Sequence, residues 1–314
     1  MGKIYNDAPF YEHVKRKVIQ LAGKTLVVSL PNAWARKYNV KKGDEVEVEE
    51  TDNKLIIGQD KDLFTDAVKI DVSGLSEIAV SRILGAAYKS GYDEATITFT
   101  NQSELEALLL TIRESFIGFE IVSRTPCNLI IRNVAVIQYG EFETILRRIF
   151  LVTLSMADDG LEAIRTRNEL LMRSVVFMDK DINKYANFCR RILNKKGYST
   201  FRKTPPLYYI VEQLEKLGDA LRDICIAAQS SKPPKKEVIA LHARLCKLIR
   251  MIYELYYKFD KNKVSAFFTE WKQLKESIFT ALKTKDQDVL YLLQLAIALE
   301  DCFDISGPLI TLNL

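Results

Sequence analysis

The chain has 314 residues, 48% of them hydrophobic and 27% charged, and its 45 Lys and Arg against 41 Asp and Glu leave a net charge of only +4. That excludes a polycationic coat, so any nucleic-acid contact must be a local patch. Five cysteines, odd in number and with no CxxC pair, exclude a disulfide framework or zinc-thiolate site, and two histidines argue against a catalytic triad or multi-histidine metal centre.

The first ten residues, MGKIYNDAPF, hold no apolar core of signal-peptide length. The longest apolar stretches, Ile149–Leu154 and Val289–Leu299, fall short of the roughly 18 residues of a membrane span. A cytoplasmic protein with reduced thiols is expected. His13 is expected on an exposed N-terminal segment and His242 on a helix surface.

Residues 1–60 read as strands. Lys17–Leu21 alternates, Gly23-Lys24 turns, and Thr25–Leu30 is rich in β-branched residues. Pro31 suits the first turn of a short helix over Asn32–Tyr38. Lys42-Gly43-Asp44 turns into Glu45–Glu50, and Asp52-Asn53 turns into Lys54–Ile57. The expected order is β-β-α-β-β.

Residues 61–138 change rhythm and predict a small α/β connector. Strands are expected over Val68–Val72, Ala95–Phe99, Glu120–Ser123 and Leu129–Val136. A helix over Glu77–Ser90 ends at Gly91, and Ser103 with Glu106 forms a capping box for a second helix. The connector carries no legible motif.

Residues 139–314 predict six long helices: 141–164, 168–195, 205–229, 235–258, 262–283 and 287–306. The Ser231–Pro234 linker divides them into two three-helix bundles, 139–232 and 233–314. The expected fold is thus α+β and multidomain.

From His13 to Lys42 there are eight Lys or Arg and no acid, whereas Asp44–Asp52 holds six acids. A fold that separates these stretches has one basic face, able to neutralise phosphates and release counterions. About 45 residues of short strands also cannot bury enough apolar surface alone. Val18, Leu21, Leu26, Val28, Trp34, Val46, Val48, Leu55 and Ile57 need cover, which a second copy supplies. Such a dimer doubles the basic face, as a two-fold DNA site requires.

The run VIQLAGKTLVVSLPNAWARKYNVKKGDEVEVEETDNKLII resembles the AbrB/SpoVT swapped-hairpin family. The matching features are the strand into Leu30-Pro31, the short helix with Trp34, Lys42-Gly43-Asp44 and the Val46/Val48 strand. The resemblance implies an interleaved homodimer that binds DNA through basic residues on one face. Arg16, Lys17, Arg36 and Lys37 are the foremost candidates here, with Lys15 and Lys24 beside them.

The helical region repeats a pattern. Leu214-Glu215-Lys216-Leu217-Gly218-Asp219 and Leu299-Glu300-Asp301-Cys302-Phe303-Asp304 both read Leu-Glu-x-x-x-Asp. The i, i+4 spacing puts each carboxylate pair on one helical face. Glu215 and Asp219 fall beside a stripe through Leu207, Val211, Leu214, Leu217, Leu221 and Ile224. Glu300 and Asp304 fall beside Leu292–Ala296–Leu299–Phe303. Like charges at this spacing cost a few tenths of a kcal/mol unless neutralised. A cation would neutralise them, and oxygen ligands suit magnesium, manganese, calcium or iron; solvated acids are the other reading.

LEKLGDALRDICIAA resembles the signature of the PhoU family of phosphate-uptake regulators, two tandem three-helix bundles with such a motif in each. VVFMDKDINKYANFCRRIL is similar to that family's second helix, with Asp179, Ile182, Tyr185 and then Arg190/Arg191; Asn183 stands where an acid is common. The resemblance implies divalent or iron metal ions at Glu215 and Asp219, with Asp179 as a helper and Glu300 with Asp304 as a second site. It also implies a phosphate transporter or phosphate-sensing protein as partner. An AbrB-like module, a connector and a PhoU-like domain together resemble the archaeal-type phosphate uptake regulators. A DNA-binding regulator without enzymatic activity is therefore expected, the alternative being a dimeric adaptor that contacts a transporter or sensor kinase and binds no DNA. A ferritin-like enzyme fails for lack of ExxH motifs, and a P-loop enzyme for lack of GxxxxGK.

Overall fold

The computed structural model describes residues 15–21, 23–51, 54–58, 66–135, 140–229, 233–283 and 288–314. His13, the Asp52-Asn53 turn and the expected boundaries near 60 and 138 lie outside the described residues. The chain forms two compact units, Met1–Phe64 and Thr65–Leu314.

The first unit has the expected element order. Strands β1 (Ile19–Leu21) and β2 (Thr25–Val27) pair antiparallel, with Ile19 opposite Val27. Helix α1 (Asn32–Lys37) follows Pro31, and β3 (Glu47–Thr51) pairs antiparallel with β4 (Lys54–Gly58). Gly23 and Gly43 turn the chain at φ +79 and +97, where side chains are strained. The two hairpins are separate two-stranded sheets, and none of the unit's described residues is buried. Val18, Leu26 and Leu55 are each more than 60% exposed.

The second unit opens with a four-stranded sheet and two helices. Strands β5 (Ala67–Asp71), β6 (Glu94–Thr98), β7 (Phe119–Arg124) and β8 (Asn128–Asn133) lie in the order β5-β6-β8-β7. Only β5 and β6 run parallel, joined through α2 (Glu77–Lys89); α3 (Gln102–Ser115) links β6 to β7. Val80, Leu84 and Tyr88 of α2 and Leu105, Leu108 and Ile112 of α3 cover Ile97, Leu129 and Ile131 of the sheet.

The capping box of α3 corrects the expected one. Asn101 and Glu104 form it, not Ser103 and Glu106. Glu104 is buried and also accepts the backbone N–H groups of Gly74 and Thr100, each at 2.7 Å. Those amides hold its carboxyl below the usual glutamate range, Thr100 foremost. Ser103 instead donates to Glu77.

Six helices follow: α4 (Gly140–Thr166), α5 (Glu169–Lys196), α6 (Thr204–Gln229), α7 (Lys236–Tyr257), α8 (Lys261–Leu282) and α9 (Val289–Thr311). They share one hydrophobic core running from Phe142 to Leu309, so the two helix triples are fused through it rather than packed separately. Helix α9 runs past the expected end at 306, through Pro308, because Leu309 is buried in that core.

Tyr291 draws His242 inward. The histidine is 1% exposed rather than on a helix surface, and its Nδ1 lies 2.7 Å from the Tyr291 hydroxyl. An imidazole paired this way fits a core that its sequence position alone conceals.

Candidate DNA-facing module and carboxylate face

Lys15, Arg16, Lys17, Lys24, Arg36 and Lys37 all stand exposed on the first unit. None has an ion-pair partner among the described residues; Lys37 only overhangs the Tyr38 ring, at 5.1 Å. Lys15, Arg16 and Lys17 precede β1, Lys24 sits in the hairpin turn, and Arg36 and Lys37 close α1. Their charges remain available for a polyanion.

The carboxylate face lies on α6 with α5 beside it. The predicted stripe is correct here: Leu207, Val211, Leu214, Leu217, Leu221 and Ile224 are all buried. Glu215 pairs with Arg190 of α5, which also binds Glu212 at 2.5 Å. Asp219 lies 2.5 Å from Arg222, whose guanidinium reaches Asp179 of α5 at 2.8 Å. Asn183 donates to Asp179 at 3.1 Å. Burial raises the Asp179 carboxyl above the usual aspartate range, against the pull of Arg222, and burial raises Glu215 likewise. Asp179 Oδ1 is buried without a partner, beside Gly218.

The second motif is arranged differently. Phe303 is 37% exposed and stacks on Trp271 at 4.4 Å, so the expected stripe through Ala296 and Phe303 is not the buried one. The buried line runs through Leu292, Leu295, Leu299, Cys302 and Ile305. Because α9 is apolar nearly all round, its periodicity misdirects. Glu300 is therefore outward and pairs with Lys275 at 2.8 Å, and Asp304 is exposed. The inward acid is Asp301, buried with Oδ2 unpartnered and pushed up to about 6 by burial.

As these side chains stand, they do not fit a metal cluster. Guanidinium groups already neutralise Glu215, Asp219 and Asp179, and Lys275 holds Glu300. Among the described residues no three or more His, Cys, Asp or Glu side chains converge as metal ligands would. The sequence pattern names the acids and places Arg190 at the basic end of α5, but it does not pair Arg190 with Glu215 and does not name Arg222. The Asp219–Arg222 spacing of three was the available signal for Arg222.

Residues 19–60 match the family model described as antidote-toxin recognition MazE, bacterial antitoxin. The N-terminal module is MazE/AbrB-like. The match takes in both hairpins and α1 but only a small part of the chain. Among solved structures, the phosphate transport system regulatory protein PhoU from Streptococcus pneumoniae is similar at 15% identity and a TM-score of 0.46, covering 56% of this chain and 94% of that one. No curated protein matches the chain. Among the described residues no helix is long and apolar enough to cross a membrane.

Proposed function

We propose that the chain is a cytoplasmic homodimer that binds DNA and regulates phosphate uptake. The observation that carries the DNA part is the set of six exposed basic side chains without ion-pair partners, on a module of MazE/AbrB type. Support for the dimer is the absence of any buried residue among those described in that module, which leaves its valines and leucines without a core of their own. The phosphate part rests on the PhoU-like signature around Leu214–Ala228. Regulation is not routed through a bound metal, because arginines take the places next to the acids where a cation would sit.

Fluorescence anisotropy with duplex DNA across a salt series tests this reading. The intact protein should lose affinity with a log–log slope of about −0.9 per phosphate contacted. Arg36→Ala/Lys37→Ala should flatten the slope by about 2 per protomer if each side chain meets one phosphate. No binding even at low salt would make the module a dimerisation device, and the chain an adaptor for a transporter or sensor.

A further inference from the structure

A helix that is apolar nearly all round, as α9 is, belongs inside a core. Its inner side faces the fused core of the bundle. Its outer side faces no other element. There Leu290, Leu293 and Ile297 recur at spacings of three and four, which puts them on one helical face, the spacing of a helix–helix seam.

Helix α8 widens this face. It runs antiparallel to α9, since Trp271 stacks on Phe303 and Lys275 pairs with Glu300. Phe279, one turn past Lys275, therefore lies toward the start of α9, beside its leucines. Phe279, Leu290, Leu293 and Ile297 are each between 44% and 69% exposed. Large apolar side chains gathered in this way, unlike ones scattered singly, mark a contact surface.

The two ends of the face differ in charge. Beyond Ile297 the same side of α9 carries Glu300, which Lys275 satisfies, and Asp304, which makes no ion pair with any described residue. Asp301 beside them is buried, with Lys216 in its field, and Lys272 and Glu276 balance each other one turn apart on α8. At the other end Lys283 caps α8, exposed and without an ion pair among the described residues. The buried Asp288 there accepts the Lys235 backbone N–H at 3.2 Å, and in the adjoining first turn of α7 Glu237 offsets Lys236. One acid and one lysine are thus left over, at opposite ends of an apolar centre.

Two copies of such a face complement each other when they lie antiparallel. A two-fold axis at Leu293 sets Ile297 of each copy, four residues to one side, near Leu290 of the other, three residues to the other side. The same operation brings the acidic end of one copy to the lysine end of its partner, whereas parallel copies would set like charges together.

We propose that the outer face of α9, with Phe279 of α8, packs antiparallel on the same face of a second copy. This contact rests on the homodimer proposed above. The patch is far smaller than the about 20–30 residues a side of a standard interface, so it does not hold two free copies. In a dimer already joined through its N-terminal modules, the two faces meet at an effective concentration on the order of millimolar, at which a weak contact closes. The dimer then has two contacts, one in each unit of the chain.

Thiol cross-linking of the full chain tests the contact, in a Cys127→Ser background that removes the exposed native thiol. Leu293→Cys, treated with a short bismaleimide, is expected to give at least tenfold more covalent dimer than Ser174→Cys, an exposed position on α5. The yield should hold on tenfold dilution, because the tether sets the partner's concentration. Adding Leu290→Asp/Ile297→Asp to Leu293→Cys should cut the yield at least fivefold while the sedimented mass stays that of a dimer. A yield no greater than at Ser174, a yield proportional to protein concentration, or a yield untouched by the two aspartates would overturn the proposal. With a dimeric mass, each of these results leaves the homodimer standing and the face to a different chain. A monomeric mass for the intact chain would remove the homodimer and this contact together.

Discussion

The Arg191 guanidinium, carried on α5 of the bundle, lies 2.9 Å from the Asp93 carboxylate of the connector. The arginine is fully buried. It also donates to the backbone oxygens of Tyr88 and Tyr92, at 2.9 and 2.7 Å, and lies over the rings of Tyr88 and Phe119. One side chain thus joins a helix end, a turn and a strand of the connector to the bundle. Removing one partner of a buried, hydrogen-bonded charge pair costs about 3–5 kcal/mol. Lys195 still neutralises Asp93, so Arg191→Ala should fall near the lower end, about 3 kcal/mol by denaturant unfolding. A loss under about 1 kcal/mol, the scale of an exposed pair, would deny Arg191 this role.

Two buried groups should pull stability in opposite directions below neutral pH. Burial pushes Asp301 up to about 6 from an ordinary 3.8. In that window the folded state binds the extra proton, so this group's contribution falls as pH rises from about 4 to 6. Burial lowers His242 from 6.5 to about 4, so the unfolded state binds the extra proton. Its contribution is fully present above pH 6.5 and is lost as pH falls towards 4. The two slopes offset each other between pH 4 and 6. Thermal unfolding should therefore expose one slope at a time: relative to wild type, Asp301→Asn should make Tm rise more steeply with pH, and His242→Phe should make it fall. Parallel profiles for all three proteins would contradict both assignments.

Two helical glycines predict opposite outcomes. A Cβ on Gly218 of α6 would lie 2.9 Å from Ile182 Cδ1 and 3.3 Å from its Cγ2, within the fused core. Gly218→Ala should therefore displace Ile182 and cost about 1–3 kcal/mol. A Cβ on Gly85 of α2 meets open space, and Gly85→Ala should add about 0.5–1 kcal/mol by favouring the helix. Equilibrium unfolding of the two variants separates these effects. Stabilisation by both would mean that Ile182 moves aside without cost.

Much of this architecture is legible in the residues. Period-two and period-3.6 patterns locate the strands and helices because one face of each is buried, and the α6 stripe gives that helix's inward side. The same method fails on α9, where the apolar residues encircle the helix and Phe303 could equally be inside or out. The missed partners have a different cause. Arg190, Arg191 and Arg222 look like solvated cations in one dimension, and only the packing of α5 against α6 and the connector shows that each meets acids distant in sequence. His242 was misplaced for the same reason, since Tyr291 lies 49 residues away.

The first unit makes the remaining prediction. Hairpin β1–β2 shows apolar side chains on both faces: Leu26 on one, and Ile19 with Leu21 on the other. A lone hairpin can cover neither. The second hairpin leaves Val48 and Leu55 exposed at 58% and 64%. Each such side chain is worth about 1.5–3 kcal/mol when fully covered, so a few per protomer suffice to drive association. The intact chain should sediment as a dimer at micromolar concentration. Leu26→Asp and Val48→Asp, one in each hairpin, should each shift it to monomer and weaken DNA binding with it. The Tm of the 65–314 unit should stay within a degree or two, since it has its own core. A mass unchanged by both variants would place the dimer contact elsewhere, whereas monomeric variants that still bind DNA at full affinity would separate dimerisation from recognition.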